Sequence, residues 1–167
     1  NESISKVKEN PFRLADDIWG IGFKTADSIA MKLGIGKEAF IRLRSGIMYT
    51  LSELADEGHV YAERDQLIKK AAELLEADEN CIIMTMDQMF QDEELIREKI
   101  MVPQFAEGEM APEDAAKEIE KECIYLPPFY FAEVGVANKL KKLAAEPATD
   151  RLWVSLMKAR EKTGNPD

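Results

Sequence analysis

Residues 18–30 read IWGIGFKTADSIA, and Gly20, Ile21, Gly22, Phe23, Lys24 and Thr25 within them are the best-placed set of groups for holding an anion. Glycine in a helix interior costs about 1 kcal/mol relative to alanine, so two glycines around one isoleucine mark a required turn. Ala26, Ile29, Ala30 and Leu33 then recur at helical spacing and predict a helix from about Phe23 to Leu33. At the start of such a helix the backbone amides lack intrahelical acceptors, and the helix dipole makes that end partly positive. A phosphate fits there, and glycine leaves no Cβ between those amides and a sugar-phosphate backbone. Ile21 is expected to turn inward and pin the turn to its two helices. Lys24 adds a cation and Thr25 a hydroxyl at the same end. A contact of this kind holds backbone and reads no base, so binding would be independent of base sequence and sensitive to salt.

The elements that position this turn are mostly helical. Asn10-Pro11 is a helix-start signature, with Asn as cap and Pro tolerated in the first turn, and a short helix PFRLADD follows. Gly34 stops the helix after the turn. Gly34-Ile35-Gly36-Lys37 has too short a spacing for a nucleotide phosphate loop, and Lys37 is followed by Glu38, so it reads as a helix stop and turn. Phe40, Leu43, Ile47, Leu51 and Leu54 form one apolar stripe, ended by Gly58. His59-Val60-Tyr61 reads as a short strand before a helix carrying Leu67, Ala71, Leu74 and Leu75. Asn80 is the expected cap of a helix with Ile83, Met86, Met89 and Phe90 on its apolar side. Leu95 to Val102 and Cys123 to Leu126 are the best strand candidates, paired as a β-ribbon with GEMAPEDAAKEIEKE between them. A helix from about Phe129 to Ala145 presents Phe129, Val136, Leu140 and Leu143, and a last one is expected over Asp150 to Thr163.

The fold class expected is therefore mainly α: a helix-hairpin-helix followed by a helical, winged-helix-like unit with a small β-ribbon. The expected segments are 1–36 for the hairpin, 37–78 for a helical bundle, 79–146 for the winged-helix-like part and 147–167 for a final helix.

Composition bounds the function. No apolar run approaches the roughly 18 residues of a membrane span, and no signal-peptide pattern follows Asn1. The expected compartment is the cytoplasm, and starting at Asn1 the stretch is expected to be part of a longer chain. A net charge of −10 argues against a protein coated in nucleic acid, yet residues 1–50 hold eight Lys/Arg against six Asp/Glu, and the remainder fourteen against twenty-six. An anion-binding surface is expected near the amino end. Cys81, Cys123 and the single His59 do not supply the roughly four ligands of a structural zinc site, so the cysteines read as free thiols.

Other candidates point to packing. His59 reads as a capping or packed histidine, with no nucleophile in a recognisable setting beside it. Asp16-Asp17 and Asp92-Glu93-Glu94 are adjacent carboxylates, whereas a two-metal site needs carboxylates converging from several elements, and Asp92 to Glu94 read as a solvated helix face or end. Met84, Met86 and Met89 suit either core filling or an adaptable groove, with core filling the commoner use. Tyr125, Phe129, Tyr130 and Phe131 around Pro127-Pro128 suit either packing or base stacking, and their acidic surroundings favour packing. Base-flipping glycosylases place a catalytic Asp shortly beyond the second hairpin helix. Here Asp27 lies inside that helix, and Asp56 is the one Asp of residues 34–60.

The segment Pro11 to Leu33, with its Gly-Ile-Gly-x-Lys-Thr-Ala core, resembles the helix-hairpin-helix motif of DNA repair and replication proteins. KENPFRLADDIWGIGFKTADSIAMKLGI, RLRSGIMYTLSELADEGHVY and IYLPPFYFAEVGVANKLKKL, in that order, resemble the region preceding the motor in RecD-like ATP-dependent DNA helicases, relatives of the exodeoxyribonuclease V alpha chain. The resemblance implies a non-catalytic region that holds DNA backbone through residues 20–25 for a 5′-to-3′ motor in DNA repair and recombination. DNA and the helicase's own motor domains are the implied partners, and no membrane is. Some such hairpins hold a monovalent cation through turn carbonyls, so potassium or sodium at the hairpin is an expectation of the resemblance. No G-x-x-x-x-G-K-[ST] loop occurs, so ATP and magnesium are expected in the parent motor and no cofactor in this stretch. The alternative is a protein-docking module in which the hairpin is a structural corner and the acidic second half carries the contacts.

Overall fold

The computed structural model describes residues 10–17, 22–104 and 117–145, with backbone alone at 16, 17, 103, 104 and 117. In chain order the described elements are α1 (Arg13–Asp17), α2 (Phe23–Lys32), α3 (Phe40–Asp56), β1 (Ala62–Glu63), α4 (Arg64–Leu75), α5 (Glu79–Gln91), β2 (Ile96–Gln104), β3 (Lys117–Tyr125) and α6 (Pro127–Ala145). The chain divides into two compact units, Asn1–Tyr130 and Phe131–Asp167. The first runs from α1 through the opening turn of α6. Of the second, the rest of α6 is described, and it exposes Val136, Leu140 and Leu143. The helix expected over Asp150 to Thr163 lies outside the described residues, as do Gly20 and Ile21.

Glycine and cap chemistry set the helix boundaries. Gly34 and Gly58 sit at φ +90 and +96, the left-handed region that a Cβ disfavours. After α2, the Gly34 amide donates to the Met31 carbonyl and the Ile35 amide to that of Ala30, both at 3.1 Å. After α3, the Gly58 and His59 amides donate to Ala55 and Leu54 at 2.9 Å. Both ends are Schellman motifs, which satisfy carbonyls that helix ends otherwise leave bare. His59 thus caps α3 through its backbone, while its side chain is exposed.

The spacing predicts Asn80 as the cap of α5, but the cap is Asp78, whose Oδ1 accepts from the Asn80 amide at 2.8 Å. The short strand falls at Ala62–Glu63 instead of His59–Tyr61. Strands β2 and β3 are each nine residues long, so Lys117–Glu122, expected in the insertion, belongs to the ribbon. Opposite charges support the extension: Lys99 bonds Glu120 across the ribbon at 2.6 Å, and on the other side of β3 Lys121 bonds Glu63 of β1.

The sheet is antiparallel in the order β1-β3-β2, with Ala62 opposite Ile124 and Arg97 opposite Ile124 on the other side. Helix, strand, two helices and two strands over Phe40–Tyr125, with β3 central, make a winged-helix topology in which α5 occupies the recognition-helix position. This arrangement draws on α3 and α4 as well as on the elements after residue 79. Its core joins Leu43, Ile47 and Leu51 of α3, Leu67, Ala71 and Leu75 of α4, Ile82, Met86 and Met89 of α5, and Leu95 and Ile124. Met86 and Met89 are core fillers, whereas Met84 is 72% exposed. Tyr125 is buried and packs on Tyr61 and Tyr130.

Candidate functional site

The first turn of α2 begins at Gly22, whose φ of −82 and ψ of 167 are extended backbone that any residue adopts. A Cβ built on Gly22 would meet nothing within 4 Å. Neither conformation nor packing among the described residues therefore requires glycine there. No side chain caps this helix start. The Gly22 carbonyl accepts from the Thr25 and Ala26 amides at 3.0 and 3.2 Å. The Phe23 and Lys24 amides precede the first intrahelical bond and have no acceptor among the described residues. Two amides without an acceptor among the described residues thus lie at the positive end of a ten-residue helix, with the Lys24 and Thr25 side chains exposed beside them, and a helix start of that kind is able to receive an oxyanion.

Aromatic packing holds that helix start in place. The Phe23 ring is buried between Phe12, at a centroid distance of 5.7 Å, and Tyr49 of α3, at 5.0 Å, both stacked. Phe23 thus offers the site its amide while its side chain anchors the turn. Phe12 is set by the amino-end cap: the Asn10 Oδ1 accepts from the Phe12 amide at 3.1 Å. Tyr49 in turn donates its hydroxyl to Glu53 at 2.7 Å, and that bond holds its phenol above the usual tyrosine range. Gly20, Ile21 and the turn carbonyls expected to hold a monovalent cation lie outside the described residues.

A second device orients α2 as a whole. Arg42 of α3 is 5% exposed and bonds both oxygens of Asp27, Nε to Oδ1 at 2.7 Å and Nη2 to Oδ2 at 2.9 Å. Its Nη1 donates to the Lys37 carbonyl at 2.8 Å and to that of Leu75, the last residue of α4, at 3.0 Å. One guanidinium therefore ties together α2, the loop after it, α3 and the end of α4. The composition counts Arg42 among the cations available at the amino end; the fold withdraws it. Arg44 is likewise engaged, bidentate with Glu94, its Nη2 at 2.8 Å from Oε1. Glu94 is thus half-buried and paired, where the run Asp92-Glu93-Glu94 reads from sequence as a solvated helix end.

The exposed surface beyond the hairpin has the opposite character. Helix α5 contains no Lys or Arg and exposes Glu79 and Asp87, so the face where a winged helix can read a major groove is acidic here. Cys81 and Cys123 are free thiols, half-buried and buried respectively. No helix among the described residues is long and apolar enough to cross a membrane.

Residues 1–61 match the family model described as the ATP-dependent RecD2 DNA helicase HHH domain. The matched stretch takes in Gly22, the stacked Phe12–Phe23–Tyr49 set and the Asp27–Arg42 pair, and it ends before β1. Over those residues this chain is similar to the helix-hairpin-helix region of RecD-like DNA helicases.

Proposed function

We propose that this chain is a non-catalytic accessory region of a RecD-like 5′-to-3′ DNA helicase, acting in the cytoplasm in DNA repair and recombination. It holds the sugar-phosphate backbone at the start of α2 without reading bases. The observation that supports this is the start of α2: the Phe23 and Lys24 amides have no acceptor among the described residues, and neither conformation nor packing among those residues requires glycine at 22. In this reading the glycines at 20 and 22 leave the approach open, Ile21 turns inward and pins the turn, the amides of Phe23 and Lys24 receive a phosphate oxygen, and the Lys24 and Thr25 side chains close on it. A potassium or sodium ion at the hairpin carbonyls belongs to this reading. ATP hydrolysis belongs to the motor of the parent protein, because no phosphate-loop sequence occurs in these residues.

Fluorescence anisotropy with single-stranded, double-stranded and junction DNA across a salt series tests this reading. Binding that weakens with salt and is lost in Gly22→Val, whose fold is checked by circular dichroism, supports it. A Cβ at 22 meets nothing within 4 Å among the described residues, and the circular dichroism separates loss of binding from loss of folding. Undiminished binding by Gly22→Val would overturn it.

A second reading, a protein-docking module, is favoured by the acidic outward face of α5 with Met84 exposed upon it. It predicts no DNA binding even at low salt, together with retention by the motor domains that Gly22→Val leaves intact.

A further inference from the structure

The exposed residues of α2 do not stop at its first turn. Lys24, Thr25, Ser28 and Lys32 are all exposed and recur at i, i+1, i+4 and i+8, which sets them on one side of the helix. They lie opposite the buried face of Phe23, Ala26 and Ala30. Lys24 and Lys32 make no ion pair with any described residue. The single carboxylate of α2, Asp27, is 17% exposed at its side chain and is neutralised by the bidentate bond from Arg42.

A solvated helix face ordinarily mixes signs, with carboxylates and cations four residues apart. Helix α4 follows that rule, exposing Asp65 and Glu73 with Lys69 and Lys70. Helix α5 exposes carboxylates alone, and the described part of α6 sets Glu133 among its lysines. Among the described helices of eight residues or more, α2 alone exposes cations and no carboxylate, in a chain of net charge −10.

Resting on the hairpin reading above, we propose that the outward side of α2 is a track for a single nucleic-acid strand, with Lys32 holding a phosphate beyond the one held at the first turn. Lys24 and Lys32 are eight residues apart, about 12 Å along the helix. That is several times the roughly 3.4 Å axial rise per phosphate of one duplex strand, so the two lysines engage different phosphates. The hydroxyls of Thr25 and Ser28 lie between them as neutral donors to phosphate oxygen. Arg42 is a positioning residue for this track: by holding Asp27 away from it, it keeps a negative charge from facing the strand.

The experiment measures the affinity of the chain for a fluorescein-labelled thymidine oligonucleotide across a salt series. Lys24→Ala, Lys32→Ala and Ser28→Ala are compared with Lys69→Ala, a control for loss of one exposed charge on α4. Lys32→Ala is expected to weaken binding several-fold and to make the slope of log affinity against log salt shallower by about 0.7, one single-strand phosphate contact. Ser28→Ala is expected to weaken binding with no change of slope, and Lys69→Ala to do neither. If Lys32→Ala behaves as Lys69→Ala while Lys24→Ala loses both affinity and slope, the track is overturned and the hairpin site stands. If wild type does not bind, or Lys24→Ala binds as wild type does, the hairpin site is overturned and the track with it.

Discussion

Asp27 and Arg42 face each other between α2 and α3, carboxylate to guanidinium, through bonds of 2.7 and 2.9 Å. The remaining donors of the arginine reach carbonyls that neither helix supplies, at Lys37 and Leu75. Removing one member of such a pair strands the other where water reaches it poorly. Asp27→Ala is expected to cost about 3 kcal/mol of stability by urea denaturation. Arg42→Lys is expected to recover little of an Arg42→Met loss, because an ammonium cannot span two carboxylate oxygens and two carbonyls. A double-mutant cycle checks the pairing, with additive losses counting against it.

Gly46 on α3 is required by packing. A Cβ there would stand 2.6 Å from both terminal carbons of Leu75, which is fully buried at the end of α4. Gly46→Ala gains about 1 kcal/mol of helix propensity but overpacks the core by roughly 1–3 kcal/mol. The expected result is a lowered melting temperature, where the same change at an exposed helix site would raise it.

Stability is expected to fall on the alkaline side. The ammonium groups of Lys99 and Lys121 titrate above the ordinary 10.5 chiefly because Glu120 and Glu63 accept hydrogen bonds from them. The Tyr49 phenol is raised above 10.0 by its bond to Glu53, and burial, with Glu63 adding to it, raises the Cys123 thiol above 9.0. In each case the folded chain keeps a proton that the unfolded chain releases. The contribution is whole below the ordinary values and is lost as pH rises through the raised ones. Urea midpoints should hold steady from neutral pH to about pH 9 and then drop; a midpoint still constant above pH 10.5 would contradict these pairings.

The two thiols should react slowly and at different rates. Burial is the leading cause that raises both, and the Glu38 and Asp78 charges add to it at Cys81. Since the thiolate is the nucleophile, both should label more slowly at neutral pH than a free cysteine peptide. Cys81, which is half-buried, should label first, and buried Cys123 only as the chain opens. Equal rates in native buffer would be inconsistent with Cys123 lying in the sheet.

Local chemistry made part of this molecule readable from its sequence. Gly34 and Gly58 are recognisable stops because a single residue must take positive φ, and both carry out that role. The start of α2 is readable for a different reason, the helical spacing of Ala26, Ile29, Ala30 and Leu33, since Gly22 itself takes extended backbone that any residue adopts. Choices between neighbours were harder. Asp78 and Asn80 are both good caps two residues apart, and sequence does not favour either. Lys117–Glu122 has little strand propensity, and its pairing depends on complementary charges on strands that lie elsewhere in the chain. Arg42 shows the limit most clearly, since its partners lie 15 and 33 residues away. A spacing pattern identifies a cation, and only the fold decides whether it is spent inside or left for a ligand.

Among the described residues strand β2 lies at the margin of the sheet and is paired only through β3, so one side of its nine residues has no main-chain partner there. A margin of that length invites a second chain to add a strand and grow into fibrils. Its composition works against such growth: Arg97, Glu98 and Lys99 stand consecutively along it, and Pro103 brings no amide hydrogen near its far end. The long ribbon is therefore expected to resist edge-to-edge growth at high concentration. Replacing Lys99 and Pro103 with valine would be expected to turn that margin into a seed for aggregation.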